Sequence, residues 1–292
     1  MEGGEVVSHK KKLGKKKRLI LIGVVLICIF LGVWTIWGNK AVIMSEFSVS
    51  SPRLPSSFSG YRIAHVSDLH NTEFGEGNTT LLQMLSECQP DIIVITDAQH
   101  TNMEVAIDFA KGATQIAPTY YVTGNHEASS SDYAILKDRL EAVGTVILED
   151  EAIYLERNGE TITLLGLADP DFTIKGGLFG EVPAMVSTKL KGMYEQKSVY
   201  SILLSHRPEL FETYAACGVD LVLSGHAHGG QFRLPFIGGL IAPDQGLFPR
   251  YDAGLFTEGN TNMIVSRGLG NSVIPIRFNN RPEVILVEFN AE

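Results

Sequence analysis

Cysteine is scarce in this chain. Only three of the 292 residues are cysteine, and no two of them form a CxxC pair. Cys28 falls within a long apolar run, which leaves Cys88 and Cys217 as the one pair that a disulfide would join. The sequence therefore excludes a disulfide-rich scaffold and a thiolate zinc site.

Positive charge is scarce beyond the first forty residues. Residues 1–40 hold eight Lys/Arg and two Asp/Glu, so the remainder holds 24 − 8 = 16 positive and 33 − 2 = 31 negative side chains, net −15. Such an acidic surface repels phosphate backbones and argues against a nucleic-acid partner. Internal repeats are absent, and 45% apolar residues are enough to form a large core.

Only one long stretch lacks charged residues. It covers residues 19–37, follows a basic tail over residues 1–18 and ends among Trp34, Trp37 and Asn39. A helix of that length spans roughly 28 Å, close to the ~30 Å hydrocarbon core of a bilayer. A cleaved secretory signal is the competing interpretation, but it would have a shorter apolar region and a small-residue cleavage site. We predict an uncleaved single-pass anchor in the cell membrane, with the N-terminus cytoplasmic and the following domain extracytoplasmic.

Residues 38–60 follow the predicted anchor. Prolines interrupt an alternating pattern there, which indicates a linker and an edge strand. We assign residues 61–292 to one folded domain. Up to Gly144, apolar β-branched runs alternate with helical patterns. This order predicts an α/β fold with a parallel sheet covered on both faces. The pair Asn158-Gly159 between two apolar runs predicts a hairpin.

Histidine and other polar residues follow the predicted strands. In the stretch DLVLSGHAHGGQ, residues 220–231, a short apolar strand is followed by two histidines bounded by glycines, which let the main chain pass close to a ligand. Ligands of open α/β sheets bind beyond the carboxyl ends of the strands. We therefore expect one cluster of side chains there: Asp68, His70, Asn125, His126, His206, His226 and His228. His65 lies inside a strand, and we expect it to be a packing residue.

The donor atoms of this cluster indicate the kind of ligand. Imidazole nitrogens with carboxylate and amide oxygens, and no thiolate, suit Mn²⁺, Fe or Zn²⁺. The donors exceed the number that one ion takes, which predicts two divalent ions about 3.5 to 4 Å apart.

Four motifs carry a family resemblance: DLH at 68–70, GNHE at 124–127, SH at 205–206 and GHAHGGQ at 225–231. In this order and spacing they resemble the calcineurin-like metallophosphoesterases. The segment SRGLGNSVIPIRFNNRPE at 266–283, together with the basic anchor, is similar to the membrane-anchored bacterial branch of that superfamily. The resemblance covers roughly residues 45–290 and implies a four-layer α/β/β/α sandwich with a dinuclear metal centre.

The resemblance also implies a role for each residue. Asp68, His70 and His228 would hold one ion, and Asn125, His206 and His226 would hold the other. His126 would not ligate but would protonate the leaving oxygen as a general acid. The implied reaction is hydrolysis of phosphomonoester, phosphodiester or pyrophosphate bonds by a metal-bound hydroxide. A phosphorylated small molecule, lipid or cell-wall compound would be the substrate.

One departure from the family pattern affects the metal centre. The family has Gly-Asp after the second strand, where the Asp bridges both ions, whereas this chain reads Ile95-Thr96-Asp97-Ala98. Without a gap, Ala98 falls on the bridging position; with one residue deleted, Asp97 bridges. A third alignment deletes the bridging segment altogether. His100 is a candidate substitute ligand or a helix-capping residue.

Two other functions are alternatives to a metal-dependent hydrolase. A degenerate member with an impaired metal site would act as a binding protein, and a surface adhesion module would leave the strand-end histidines unexplained. Four other side chains either line the cleft or serve local structure: Asp169, Asp171, Arg207 and Arg233. Gly268-Leu269-Gly270 is too short for a nucleotide loop, and we expect it to return the backbone close to the site.

Overall fold

The computed structural model describes residues 14–98, 101–174, 181–193, 199–271 and 274–291. Most of the basic tail, and His100, lie outside the described residues. The helices are α1 (Lys15–Lys40), α2 (Thr79–Cys88), α3 (Met103–Ala113), α4 (Asn125–Ser129), α5 (Tyr133–Ala142), α6 (Glu181–Met193) and α7 (Phe211–Cys217). The strands are β1 (Ile43–Ser51), β2 (Arg62–Ser67), β3 (Ile92–Thr96), β4 (Thr119–Val122), β5 (Val146–Ile147), β6 (Glu151–Arg157), β7 (Glu160–Gly166), β8 (Ser201–Leu204), β9 (Leu221–Ser224), β10 (Arg233–Leu234), β11 (Gly238–Gly239), β12 (Ile241–Ala242), β13 (Gly246–Leu247), β14 (Gly254–Glu258), β15 (Thr261–Val265) and β16 (Glu283–Ala291).

Two six-stranded sheets form the centre of the domain. Their strand orders are β1-β16-β2-β3-β4-β5 and β14-β15-β9-β8-β7-β6. Strands β2 to β5 run parallel in the first sheet, as do β7, β8, β9 and β15 in the second. In the second sheet the antiparallel pairs lie at the two edges, where the Asn158-Gly159 turn joins β6 to β7 as predicted, and in the first sheet β16 pairs antiparallel with β2. The sheets are mixed rather than wholly parallel.

Three apolar layers hold the elements together. Between the sheets, residues such as Val94 and Leu223 face one another. Helices α2, α3 and α5 pack on the outer face of the first sheet, for example through Phe109, and α6 and α7 cover the second sheet, for example through Phe211. Strands buried on both faces require continuous apolar sequence, which explains the runs in β3 and β9. The predicted four-layer α/β/β/α sandwich is confirmed.

Helix α1 stands apart from these layers. None of its 26 residues is buried, and it is long and apolar enough to cross a membrane. Its carboxyl end contacts the loop before β16. The Asn39 amide donates to the Arg277 carbonyl and accepts from the Arg277 N–H, both at 2.8 Å. The Arg281 guanidinium lies 4.8 Å from the centre of the Trp37 ring.

Candidate metal centre

The carboxyl ends of five parallel strands bring the predicted side chains together. Asp68 and His70 follow β2, Asp97 follows β3, and Asn125 and His126 follow β4. From the second sheet, His206 follows β8, and His226 and His228 follow β9. The two sheets thus contribute to one cluster along a shared edge, where parallel strands of the sandwich all end.

Asp97 lies at the middle of this cluster and is completely buried. Its Oδ2 atom is 3.0 Å from His70 Nε2, 2.8 Å from His126 Nδ1 and 3.1 Å from His206 Nε2. The cluster side chain at this turn is therefore that of Asp97, and neighbouring Ala98 contributes backbone hydrogen bonds, accepting from the His70 N–H through its carbonyl. Asp97 touches one histidine from each of the two expected ligand groups.

Asp68 forms the second buried carboxylate of the cluster. Its Oδ1 atom lies 3.3 Å from His228 Nε2, 3.6 Å from His206 Nε2 and 3.8 Å from His70 Nε2. Its Oδ2 atom accepts a 2.6 Å hydrogen bond from the Ser67 hydroxyl, which fixes the orientation of the carboxylate. One oxygen is thus held by protein, and the other faces a ring of imidazole nitrogens.

Several buried polar atoms of the cluster find no hydrogen-bond partner within the described parts of the chain. They are Asp68 Oδ1, Asp97 Oδ1, Asn125 Oδ1 and His206 Nδ1. Orphaned buried polar atoms cost about 1–3 kcal/mol each, so such a concentration calls for an explanation. Oxygen and nitrogen lone pairs converging in one place are the donors that divalent cations bind. The residues therefore fit a metal centre.

The ionisation of the two buried carboxylates also fits a metal centre. Burial alone would raise the pKa of Asp97, but the charges of His206 and His70 outweigh it and hold this pKa well below its usual value. The pKa of Asp68 is lowered in the same way against burial, by His228 and His206. Burial lowers the pKa of His228. Both carboxylates are therefore anionic at neutral pH, as metal ligands must be.

The backbone at the cluster is strained. Asp68, His70, Asp97, His226 and His228 all adopt positive φ angles, between 44° and 66°. Non-glycine residues enter this region at a cost of order 1 kcal/mol each and cluster at functional sites. The turns after the strands are bent so that consecutive polar side chains point into one space.

Glycines allow the main chain to approach this space. A Cβ on Gly225 would lie 1.8 Å from the Ser67 hydroxyl oxygen. On Gly268 and Gly270 it would lie 2.7 Å from Asp68 Cβ and 2.6 Å from His70 Cβ. The expectation that the Gly268-Leu269-Gly270 segment returns close to the site is confirmed.

His226 is held from outside the cluster. Its Nε2 atom lies 2.8 Å from Asp244 Oδ2, and its ring centre is 5.0 Å from that of His206. Asp244 also accepts a 2.5 Å hydrogen bond from Arg207, whose guanidinium is bound by both oxygens of Asp169 at 2.7 and 2.9 Å. Arg207 and Asp169 are buried, so this pair is not a surface salt bridge, whereas the side chain of Asp244 is half exposed. His226 Nε2 is thus bound to Asp244, while the backbone N–H of His226 donates to Asp68 Oδ2 at 3.3 Å and ties the turn to the cluster.

Arg233 does not belong to this network. It binds Asp252 and the Gly229 carbonyl, both at 2.9 Å. His65 is wholly buried and bonds Thr96 at 2.9 Å, and burial lowers its pKa to about 3, as a packing residue inside a strand requires.

Two residues of the site have no sequence signal of their own. Asp244 lies in a segment rich in glycine and proline, and no pattern relates it to His226. Arg277 is completely buried, with Nη2 3.4 Å from His228 Nδ1 and Nη1 2.6 Å from the Arg267 carbonyl. Only the fold brings these two side chains behind the histidines of β9.

We expect Asp244→Asn to weaken metal binding about 10- to 100-fold, because a carboxylate on the outer ring nitrogen fixes the orientation and basicity of a metal-binding histidine. Titration of the chelator-treated protein with Mn²⁺, followed by calorimetry, measures the change. Asp138→Asn, on the exposed face of α5, is the matched control and should leave the titration unaltered. Equal affinities for the two variants would contradict the positioning role of Asp244.

The chain belongs to the calcineurin-like phosphoesterase family, whose family profile matches residues 61–230. It is 29% identical over 254 residues to the uncharacterized metallophosphoesterase YkuE of Bacillus subtilis, covering 82% of each chain. It is 26% identical over 238 residues to the phosphodiesterase YaeI of Escherichia coli, covering 78% of this chain and 82% of that one. A zebrafish transmembrane protein with a metallophosphoesterase domain is 28% identical over 255 residues, which cover 82% of this chain and 55% of that protein.

Proposed function

We propose that this protein is a membrane-anchored hydrolase of phosphate esters that uses two divalent metal ions. One ion would be held by Asp68, His70 and His228. The other would be held by Asn125, His206 and His226, and Asp97 would bridge the two. A bound pair of cations supplies charge neutralisation at the phosphoryl oxygens and lowers the pKa of water.

The observation that carries the proposal is the location of Asp97. Its carboxylate contacts His70 from the first group and His206 from the second, at 3.0 and 3.1 Å. A bridging ligand needs this position between two ions about 3.5 to 4 Å apart. The neighbouring orphaned atoms of Asp68 and Asn125 are further donors directed at the same space.

His126 is proposed as the general acid. Its side chain is 26% exposed, whereas His70, His206, His226 and His228 are nearly inaccessible. Asp97 binds Nδ1 of His126, which leaves Nε2 on the side of the ring away from the carboxylate. A proton on Nε2 is then positioned for transfer to a departing alkoxide at the mouth of the site.

A degenerate binding protein is the less favoured alternative. It was motivated by the lack of Gly-Asp after β3, yet Asp97 supplies a buried carboxylate at the centre of the cluster. This carboxylate favours the proposal of a metal-dependent hydrolase over that of a binding protein.

Helix α1 is the proposed anchor. Its length and apolar composition suffice for a membrane span, and a zebrafish relative of this chain is described as a transmembrane protein. Lysines and an arginine precede the span, which favours a cytoplasmic N-terminus and an extracytoplasmic domain.

Metal counting and hydrolysis by the full-length protein test the proposal together. After chelator treatment and addition of Mn²⁺, we expect close to two ions per chain by mass spectrometry. Hydrolysis of bis(p-nitrophenyl) phosphate should disappear with the chelator and return with Mn²⁺. His226→Ala should abolish turnover, and His9→Ala in the N-terminal tail is the matched control. Stoichiometric metal without turnover would defeat the enzymatic proposal.

A further inference from the structure

A groove of about 580 Å³ lies between the end of α1 and the loops that carry the metal centre. Its walls are mostly apolar. They include Thr35, Ile36 and Asn39 of α1, Thr72 and Phe74 after β2, and Ile276 before β16, together with the charged residues Lys40 and Glu73. Cavities of a few hundred cubic ångströms accept small ligands in soluble proteins, so this groove is large enough for one.

The apolar surface of the helix continues onto the domain at this groove. Ile36 and Trp37 of α1 are 65% and 49% exposed. Ile274 and Ile276, on the loop that contacts the helix end, are 40% and 49% exposed. Clustered exposed apolar side chains mark a surface that meets an apolar partner. If α1 spans the membrane, this loop meets the hydrocarbon boundary of the bilayer and not bulk water.

Two residues of the groove wall contact a residue of the metal centre, His70. The Asn271 carbonyl lies 3.1 Å from His70 Nδ1, and Asn271 is part of the groove wall. Thr72, another wall residue, donates to the His70 carbonyl at 3.5 Å. His70 in turn contacts Asp97 through Nε2. His70 therefore connects the groove wall, through Asn271 and Thr72, to Asp97 of the cluster.

We propose that the groove binds the alkyl chain of a phosphate ester whose head group lies at the metal centre. The substrate class is then lipid-like: a phosphate ester carrying at least one long hydrocarbon chain, presented from the membrane. This inference rests on the proposed phosphoesterase function. An extended chain can enter from the bilayer beside Ile36 and Ile276, and its polar end then arrives next to His70.

Two substrates with the same scissile bond isolate the contribution of the chain. Octyl p-nitrophenyl phosphate and ethyl p-nitrophenyl phosphate differ by six methylene groups. In each, water attacks phosphorus, the P–O bond to the aryl group breaks, and p-nitrophenolate leaves an alkyl phosphate. Full-length protein in nanodiscs with Mn²⁺ gives kcat/KM for both. We expect the octyl ester to be preferred at least about ten-fold, the gain from burying roughly two methylenes.

Variants of the groove test where the preference arises. Ile276→Asp introduces a carboxylate into the wall and should lower the rate with the octyl ester about ten-fold more than the rate with the ethyl ester. Ile237→Asp is the matched control, since Ile237 is 61% exposed and does not line the groove. Thr35→Trp should narrow the groove and likewise lower the rate with the octyl ester more than the rate with the ethyl ester. Ile27→Trp is its matched control, because it places the same ring on α1 away from the groove wall.

The outcomes separate the two proposals. A preference for the octyl ester that Ile276→Asp and Thr35→Trp remove, but their controls keep, supports the alkyl subsite. Equal kcat/KM for both esters, or a preference that the groove variants leave intact, overturns the subsite while the phosphoesterase function stands. Failure to hydrolyse either ester with Mn²⁺ bound overturns the phosphoesterase function, and the subsite with it.

Discussion

Asp97→Asn is expected to lower kcat/KM for phosphodiester hydrolysis at least about 10³-fold, equivalent to about 4 kcal/mol of transition-state stabilisation. The amide keeps the shape of the side chain but removes the negative charge that two cations would share. The metal content should fall from two ions per chain toward one, because the buried imidazoles of His70 and His206 lose their common partner. Steady-state kinetics and mass spectrometry of the metal-loaded protein measure both effects.

Two variants sharpen this experiment. Asp108→Asn removes an exposed carboxylate on α3 and should leave both readings unaltered. Adding Ala98→Asp to Asp97→Asn places a carboxylate at the position that an ungapped alignment assigns to the bridge. We expect no recovery, because Asp97 and not Ala98 contributes a side chain to the cluster. Recovery of activity in the double variant would show that the bridging position had been assigned one residue too early.

His126→Ala should have an effect that depends on the leaving group. With a methyl phosphate diester we expect a loss of about 10²- to 10⁴-fold, the usual contribution of a general acid, because an alkoxide leaves only when protonated. With an aryl diester that releases p-nitrophenolate, the loss should stay within about ten-fold, since this anion is stable in water. The ratio of the two losses separates acid catalysis from damage to the site.

Added imidazole provides an independent check on His126. The side chain is partly exposed at the mouth of the cluster, so a small base can enter the space that it vacates. We expect imidazole to restore part of the alkyl-ester activity of His126→Ala and none of that of His226→Ala, because His226 is a proposed metal ligand and not the proposed acid. Metal content in His126→Ala should remain near two. An equal loss for both leaving groups would contradict the role of general acid.

Strands covered on both faces were predictable because the core strands are continuous apolar runs and the helices carry one apolar face, whereas the stacking of two sheets followed only from the family resemblance. The sequence also indicated the hairpin at Asn158-Gly159, since that turn needs positive φ angles, and the structure has 51° and 81° there. The mixed direction of the sheets was not predictable from the order of elements. Strand β16 inserts between β1 and β2 from the far end of the chain, and nothing local encodes that pairing.

The candidate site also contains residues that the sequence could identify and residues that it could not. Residues directly after strands could be named from the sequence, because the chain direction alone brings the ends of parallel strands to one edge. The alignment of Asp97 could not be settled by counting, since it depends on how the turn after β3 bends, with φ of 55° at that residue. Asp244 and Arg277 contact the histidines after β9 only because distant parts of the chain pack together. Such long-range contacts produce no repeating pattern in the sequence.

The side-chain amide of Asn39 forms two hydrogen bonds with the backbone of Arg277, whose N–H and carbonyl would otherwise bond to water. A soluble fragment beginning after Lys40 would lose both, along with the stacking of Arg281 on Trp37. Because the Arg277 guanidinium lies against His228, removing the helix would loosen a support on the outer side of the metal cluster. We therefore expect metal binding measured on such a shortened protein to differ from that of the full-length chain, because helix α1 supports the loop that carries Arg277.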